Sequence, residues 1–227
     1  MTDLDVQGDR RAQRQAERDA MIEAEAARRY RTNRLEAFSD GVFAIATTLL
    51  VLEIAVPIGT GDDLLSAIVA EWPSYLAYLV SFATIGAIWL GHSAITEYLN
   101  HVDGTFLRLN LILLLVVAFL PFPTRLLAEH ITAADAERVA APFYGLCLML
   151  NALLLGLLWR YAVHARLIRP DIDDLELRLI SRRLTPGVAG YGVLIVIGFV
   201  QPTIAVIGFL LIAIFLLIPI PLRGRPG

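Results

Sequence analysis

The sequence predicts an all-α membrane protein with six transmembrane helices per subunit and both termini in the cytoplasm. Of its 227 residues, 57% are hydrophobic and only 18% charged, whereas soluble domains run near roughly 50% and 25%. Six apolar stretches each approach the roughly 20 residues a helix needs to cross a hydrocarbon layer. The cationic side chains are all arginine, 19 of them, and most gather in the stretches that would lie on one side of the membrane.

Residues 1–34 form the first region, a basic tail. From Asp9 to Arg31 it is rich in Arg, Ala, Glu and Gln, all good helix formers, with Glu17, Glu23 and Glu25 set among the arginines. A cytoplasmic helix is expected there, solvated or at the membrane surface. The tail has no apolar core and no small-residue cleavage site, so it does not read as a secretory signal.

Residues 35–222 hold the expected spans: Ala37–Val56, Trp72–Gly91, Phe106–Leu127, Val139–Tyr161, Leu184–Val200 and Thr203–Leu222. Pro121-Phe122-Pro123 reads as a kink in the third. Gln201-Pro202 reads as a tight hairpin between the last two, because proline cannot continue a helical ladder. The acidic and basic run between Arg166 and Arg183 predicts a short amphipathic linker helix. Residues 223–227 form a cytoplasmic C-terminal tail.

Short cytoplasmic loops carry the excess of positive charge. Eight arginines precede the first span, six lie from Arg160 to Arg183, and Arg223 and Arg225 close the chain. Six spans put all three segments on one side. The opposite loops hold Asp62, Asp63 and Glu71, then Glu129, Asp135 and Glu137, with little arginine.

No phosphate-binding glycine loop, zinc-protease motif or nucleophile elbow occurs, and the four histidines are scattered over span ends and loops. No enzyme is expected. The slight net charge of −3 excludes a globally basic nucleic-acid surface, and the single cysteine, Cys147, forms neither an internal disulfide nor a metal pair. Neither a metal site nor a cofactor is expected. Asn151, the clearest polar residue at a span centre, predicts an interhelical hydrogen bond.

The first span carries the chemical signal. At 100° per residue, Phe38, Gly41, Ile45, Thr48, Leu49, Leu52 and Val56 fall within about 60° of one line, and Asp40 falls on the other side. A carboxylate inside a span is costly and calls for a partner or a function. His92 at the end of span two and Asn110 at the start of span three share the depth of Ser39 and Asp40, with Arg34 just outside. A polar cluster of Ser39, Asp40, His92 and Asn110 is expected, acting as an interhelical clamp or as a proton relay through His92.

Arg34-x-x-x-Phe38-Ser39-Asp40, continuing Gly-Val-Phe-Ala-Ile-Ala to Leu-Val-Leu-Glu-Ile, resembles the RxxxFSD signature of bacterial relatives of the endosomal and lysosomal potassium channel family, transmembrane protein 175. Trp89-x-x-His92, Asn110-Leu-Ile-Leu-Leu and Pro121-Phe122-Pro123-Thr124 match further. The resemblance implies a homotetramer in a prokaryotic plasma membrane, whose first helices line a central pathway for monovalent cations. It implies a hydrophobic constriction at Ile45, with further apolar rings at Leu49 and Leu52, and selectivity at Thr48. The permeating ion would be potassium, modestly preferred over sodium. Glu53 and the outer loops would enrich cations at the mouth by their field. Two other functions stay open: a proton-permeable channel or transporter using Asp40 and His92, and a non-conducting membrane scaffold.

Overall fold

A computed structural model describes residues 3–54, 64–131 and 136–218. The end of the first span, the acids Asp62, Asp63 and Asp135, the end of the sixth span and the C-terminal arginines lie outside the described residues. Within them run eight helices: α1 (Asp3–Leu49), α2 (Leu64–Ala70), α3 (Trp72–Glu97), α4 (Gly104–Phe119), α5 (Pro121–His130), α6 (Glu137–His164), α7 (Asp174–Gly198) and α8 (Pro202–Leu217).

Among the described residues, four helical stretches are long and apolar enough to cross a membrane: Arg31–Glu53, Trp72–Glu97, Gly104–His130 and Glu137–His164. The fifth and sixth expected spans appear as shorter apolar helices, Val188–Gly198 and Pro202–Leu217. The fifth is short because polar residues and Pro186-Gly187 precede its apolar part. Its helix nevertheless begins at Asp174, so the expected linker helix and span are one element. Likewise α1 passes residue 34 without a break, its helix-favouring tail continuous with the apolar segment. After Leu49 it tightens into a 3₁₀ turn over Leu50–Glu53. The hydroxyls of Thr47 and Thr48 donate to the Phe43 and Ile45 carbonyls at 2.7 and 2.9 Å just before this change, the back-bonding that tends to bend helices.

The third span divides into α4 and α5 at Leu120-Pro121, where the prolines withdraw backbone donors. Helices α7 and α8 form the expected hairpin across Gln201-Pro202. Two glycines let this hairpin close: a Cβ on Gly208 would run into Leu194, and one on Gly145 of α6 would run into Phe209 and Ile195. The core between them holds Tyr144, Trp159, Tyr191, Phe106 and Phe209, all buried. Helix α1 packs on α3 and α4, while α6 packs against α4, α5, α7 and α8. Helix α1 therefore has one covered side.

The connections after α3 and after α6 are tied together at one end of the bundle. Asn100 N–H donates to the Leu167 carbonyl at 2.8 Å and Arg169 N–H to the Tyr98 carbonyl at 3.0 Å. The Tyr161 hydroxyl donates to Asp103 Oδ2 at 2.6 Å, and Asp103 Oδ1 caps α4 by accepting Phe106 N–H at 2.7 Å. Helix α6 ends in a Schellman turn, with Leu167 N–H on the Ala162 carbonyl at 2.9 Å and Arg166 N–H on the Val163 carbonyl at 3.2 Å. Arg166 takes the left-handed position with φ of 56°. At the opposite end of the bundle stand Glu53, Glu71, Arg125 and Glu129.

Candidate functional site

Helix α1 buries Leu35, Ser39, Phe43 and Ala46 against α3 and α4, and Leu50 is buried at the start of the 3₁₀ turn that follows. The spacing of three to four residues that covers this face leaves another uncovered. On that uncovered side Phe38 is 56%, Ile45 62% and Leu52 71% exposed, with Gly41, Thr48 and Leu49 also exposed. Arg34 lies on the exposed side of the same helix. The Thr48 proton is committed to the Ile45 carbonyl, so its oxygen lone pairs remain free for an outside donor or cation.

The polar residues that share depth do not form one cluster. Asn110 Nδ2 donates to Ser39 Oγ at 3.0 Å, and His92 Nε2 pairs with Asn110 Oδ1 at 2.7 Å. With its amide nitrogen committed to Ser39, Asn110 offers an acceptor to His92, which makes Nε2 the protonated nitrogen. All three are buried, and the His92 ring lies 5.5 Å from that of Phe43. This chain ties α1, α3 and α4 together.

Asp40 instead accepts the Trp89 indole N–H at 2.8 Å, in an exposed setting. The fourfold cluster expected from depth thus divides into a buried triad and a separate Asp40–Trp89 pair. Trp89, already noted in the Trp89-x-x-His92 motif, is the partner that the expected cluster leaves out. It precedes His92 by three positions, less than one helical turn, so both face α1 side by side. Asn151 also differs from expectation: its Nδ2 donates within α6 to the Cys147 carbonyl at 2.9 Å, and its buried Oδ1 finds no partner among the described residues. Its own helix supplies the nearest carbonyl. A second buried group joins the Ser81, Thr124 and Tyr144 hydroxyls at 2.7 and 2.8 Å across α3, α5 and α6.

At the other end of α1, Glu53 is partly covered, and its Oε2 lies 3.9 Å from Arg125 Nε. Among the described residues no group of three His, Cys, Asp or Glu side chains is arranged to hold a metal ion.

A family profile described as the endosomal/lysosomal potassium channel TMEM175 matches residues 34–121, the stretch from the first arginine of the motif to the kink. A potassium channel from Streptomyces collinus is 40% identical over 197 residues, covering 85% of this chain and 96% of its own length. The chain belongs to the TMEM175 family. A potassium channel from Chamaesiphon minutus is 41% identical, over 80% of this chain and 91% of that protein. The crystal structure of a lysosomal potassium-selective channel TMEM175 homolog from Chamaesiphon minutus superposes with a TM-score of 0.74 at 39% identity, covering 82% of this chain and 95% of that one. The family is one of ion channels, so this TMEM175 member is a multi-pass membrane channel protein and not an enzyme. Its triad, its Asp40–Trp89 pair and the uncovered residues Phe38, Ile45, Thr48, Leu49 and Leu52 fall inside the residues that match the family profile.

Proposed function

We propose that four copies of the chain surround a central cation pathway lined by the uncovered face of α1, and that the assembly conducts potassium with modest preference over sodium. The observation that carries this reading is the exposure of Phe38, Ile45, Thr48, Leu49 and Leu52 on a helix whose Ser39 is buried against its neighbours and bonded to Asn110. A fourfold arrangement would cover those apolar side chains on all sides while leaving a narrow axis between them. The family's potassium channels supply the ion.

Rings of Ile45, Leu49 and Leu52 present no oxygen to a cation, so an ion passes them only with its water, and narrowing closes the path by dewetting. Thr48 adds a ring of hydroxyl oxygens one turn beyond Ile45. Glu53 marks the outer mouth. The buried Ser39–Asn110–His92 triad and the Asp40–Trp89 pair fix the rotation of α1 about its axis, which decides the side chains that face the ion.

In this reading α1, α3, the α4–α5 pair, α6, α7 and α8 are six spans of a channel domain over residues 35–222, in a prokaryotic plasma membrane. Residues 1–34 and 223–227 are cytoplasmic, since the arginine-rich tail and the arginine-rich connection after α6 belong to the same end. The test is purified protein in liposomes under separate potassium, sodium and proton gradients. Potassium flux exceeding sodium flux is expected, without need of an added ionophore. Flux of protons alone would replace the reading with a proton pathway, and no flux would leave a scaffold.

A further inference from the structure

The outer end of α1 meets a charged group that the pathway so far leaves unused. A cavity of about 380 Å³ opens there, lined among others by Leu52, Glu53, Glu71, Arg125 and Glu129. Leu52 also belongs to the exposed stripe, so cavity and stripe are continuous. Three carboxylates and one guanidinium line it, and two of the carboxylates lie near the guanidinium. Arg125 Nε lies 2.8 Å from Glu129 Oε1, one turn along its own helix, and 3.9 Å from Glu53 Oε2 on the end of α1.

We propose that Arg125 sets the rate at which cations cross the outer mouth, by dividing its positive charge between Glu129 and Glu53. This rests on α1 being the pathway helix. The two carboxylates compete unequally: Glu129 is 51% exposed and Glu53 only 22%. Glu53, the more enclosed of the pair, has the less screened field. While Arg125 stays with Glu129, that field reaches a cation leaving the Leu52 ring and raises its local concentration. When the guanidinium swings to Glu53, the charge is cancelled where the ion passes. The pair adds little to stability at such exposure; its effect is on the ion.

Cation currents of the full-length protein in planar bilayers, at about 10 mM and 1 M potassium chloride, test this. Arg125→Gln should raise the low-salt current by roughly twofold or more and leave the high-salt current nearly unchanged, because the screening length falls from about 30 to 3 Å. Glu53→Gln should lower the low-salt current, and adding Arg125→Gln to it should then change little. Glu129→Gln should also lower it, by releasing Arg125 to Glu53. An Arg125→Gln current equal to wild type at low salt, or raised equally with and without Glu53, would overturn the proposal. If that variant does not assemble, Glu129→Gln decides, and an unchanged or larger current counts against it. Silence of the wild-type protein would instead overturn the pathway on which this depends.

Discussion

Ile45 and Thr48 stand one turn apart on the uncovered face of α1 and differ in a single respect that matters to an ion: one carries oxygen and the other does not. Ile45→Asn keeps similar bulk but supplies amides that hold water, so potassium flux into liposomes should rise severalfold. Thr48→Ala removes a hydroxyl and leaves the Ile45 ring, so the potassium-to-sodium flux ratio should move more than total flux. The inner polar residues divide by burial. Asn110→Ala strands both His92 and Ser39 in the core, costing about 1–3 kcal/mol for each orphaned group, whereas Asp40→Ala frees a half-exposed indole and should cost about 1 kcal/mol. Thermal unfolding in detergent should therefore rank Asn110→Ala well below Asp40→Ala. The reverse order would place the structural anchor at Asp40.

Elements are joined here by their ends. The Schellman turn closing α6 puts Arg166 at a φ of 56°, a conformation that costs a non-glycine residue roughly 1–2 kcal/mol. Arg166→Gly should raise the melting temperature by relieving it, provided the turn, not the arginine side chain, governs that corner. Asp103 joins α4 to α6. Partial desolvation is the largest single influence on its carboxyl and pushes its pKa up, but the Tyr161 hydroxyl and the Phe106 and Thr105 amides outweigh it, helped by His101, and hold the group below its ordinary value. Since the folded value lies below the unfolded one, its stabilisation is complete above about pH 4 and disappears as pH falls through the lowered value. Wild type should melt above Asp103→Asn at pH 7. The difference should close as the pH drops below about 4, and a constant difference would assign the effect to shape alone.

For the whole molecule the uncovered face of α1 is the governing fact. A single α1 encloses nothing, and its exposed isoleucine and leucines need either lipid or further copies of the chain. Native mass spectrometry in mild detergent should find four copies of the 25.0 kDa chain. A strictly monomeric protein would remove the basis for a central pathway. Replacing Leu52 with Cys should also allow oxidative cross-linking between subunits, because four copies would bring these side chains around one axis.

The order of apolar segments, the tail helix, the Pro121 kink and the Gln201-Pro202 hairpin were legible in the sequence, because each follows from hydrocarbon thickness or from proline's missing donor. The stripe from Phe38 to Leu52 was legible too, since 100° per residue fixes which side chains share a face. Depth alone could not decide who bonds to whom. Ser39, Asp40, His92 and Asn110 lie at one level, yet the rotations of α1 and α3 give Asp40 to Trp89 and leave Asn110 between Ser39 and His92. The extent of α7 was hidden because polar residues conceal a continuing helix from any hydropathy count. The place of Arg125 is not legible in the sequence, because Glu53 lies more than seventy positions earlier and only the packing of the 3₁₀ turn after α1 beside α5 brings a guanidinium within reach of both carboxylates. Segments and faces belong to local covalent periodicity; partners belong to the rotation of packed helices, which only the assembled bundle fixes.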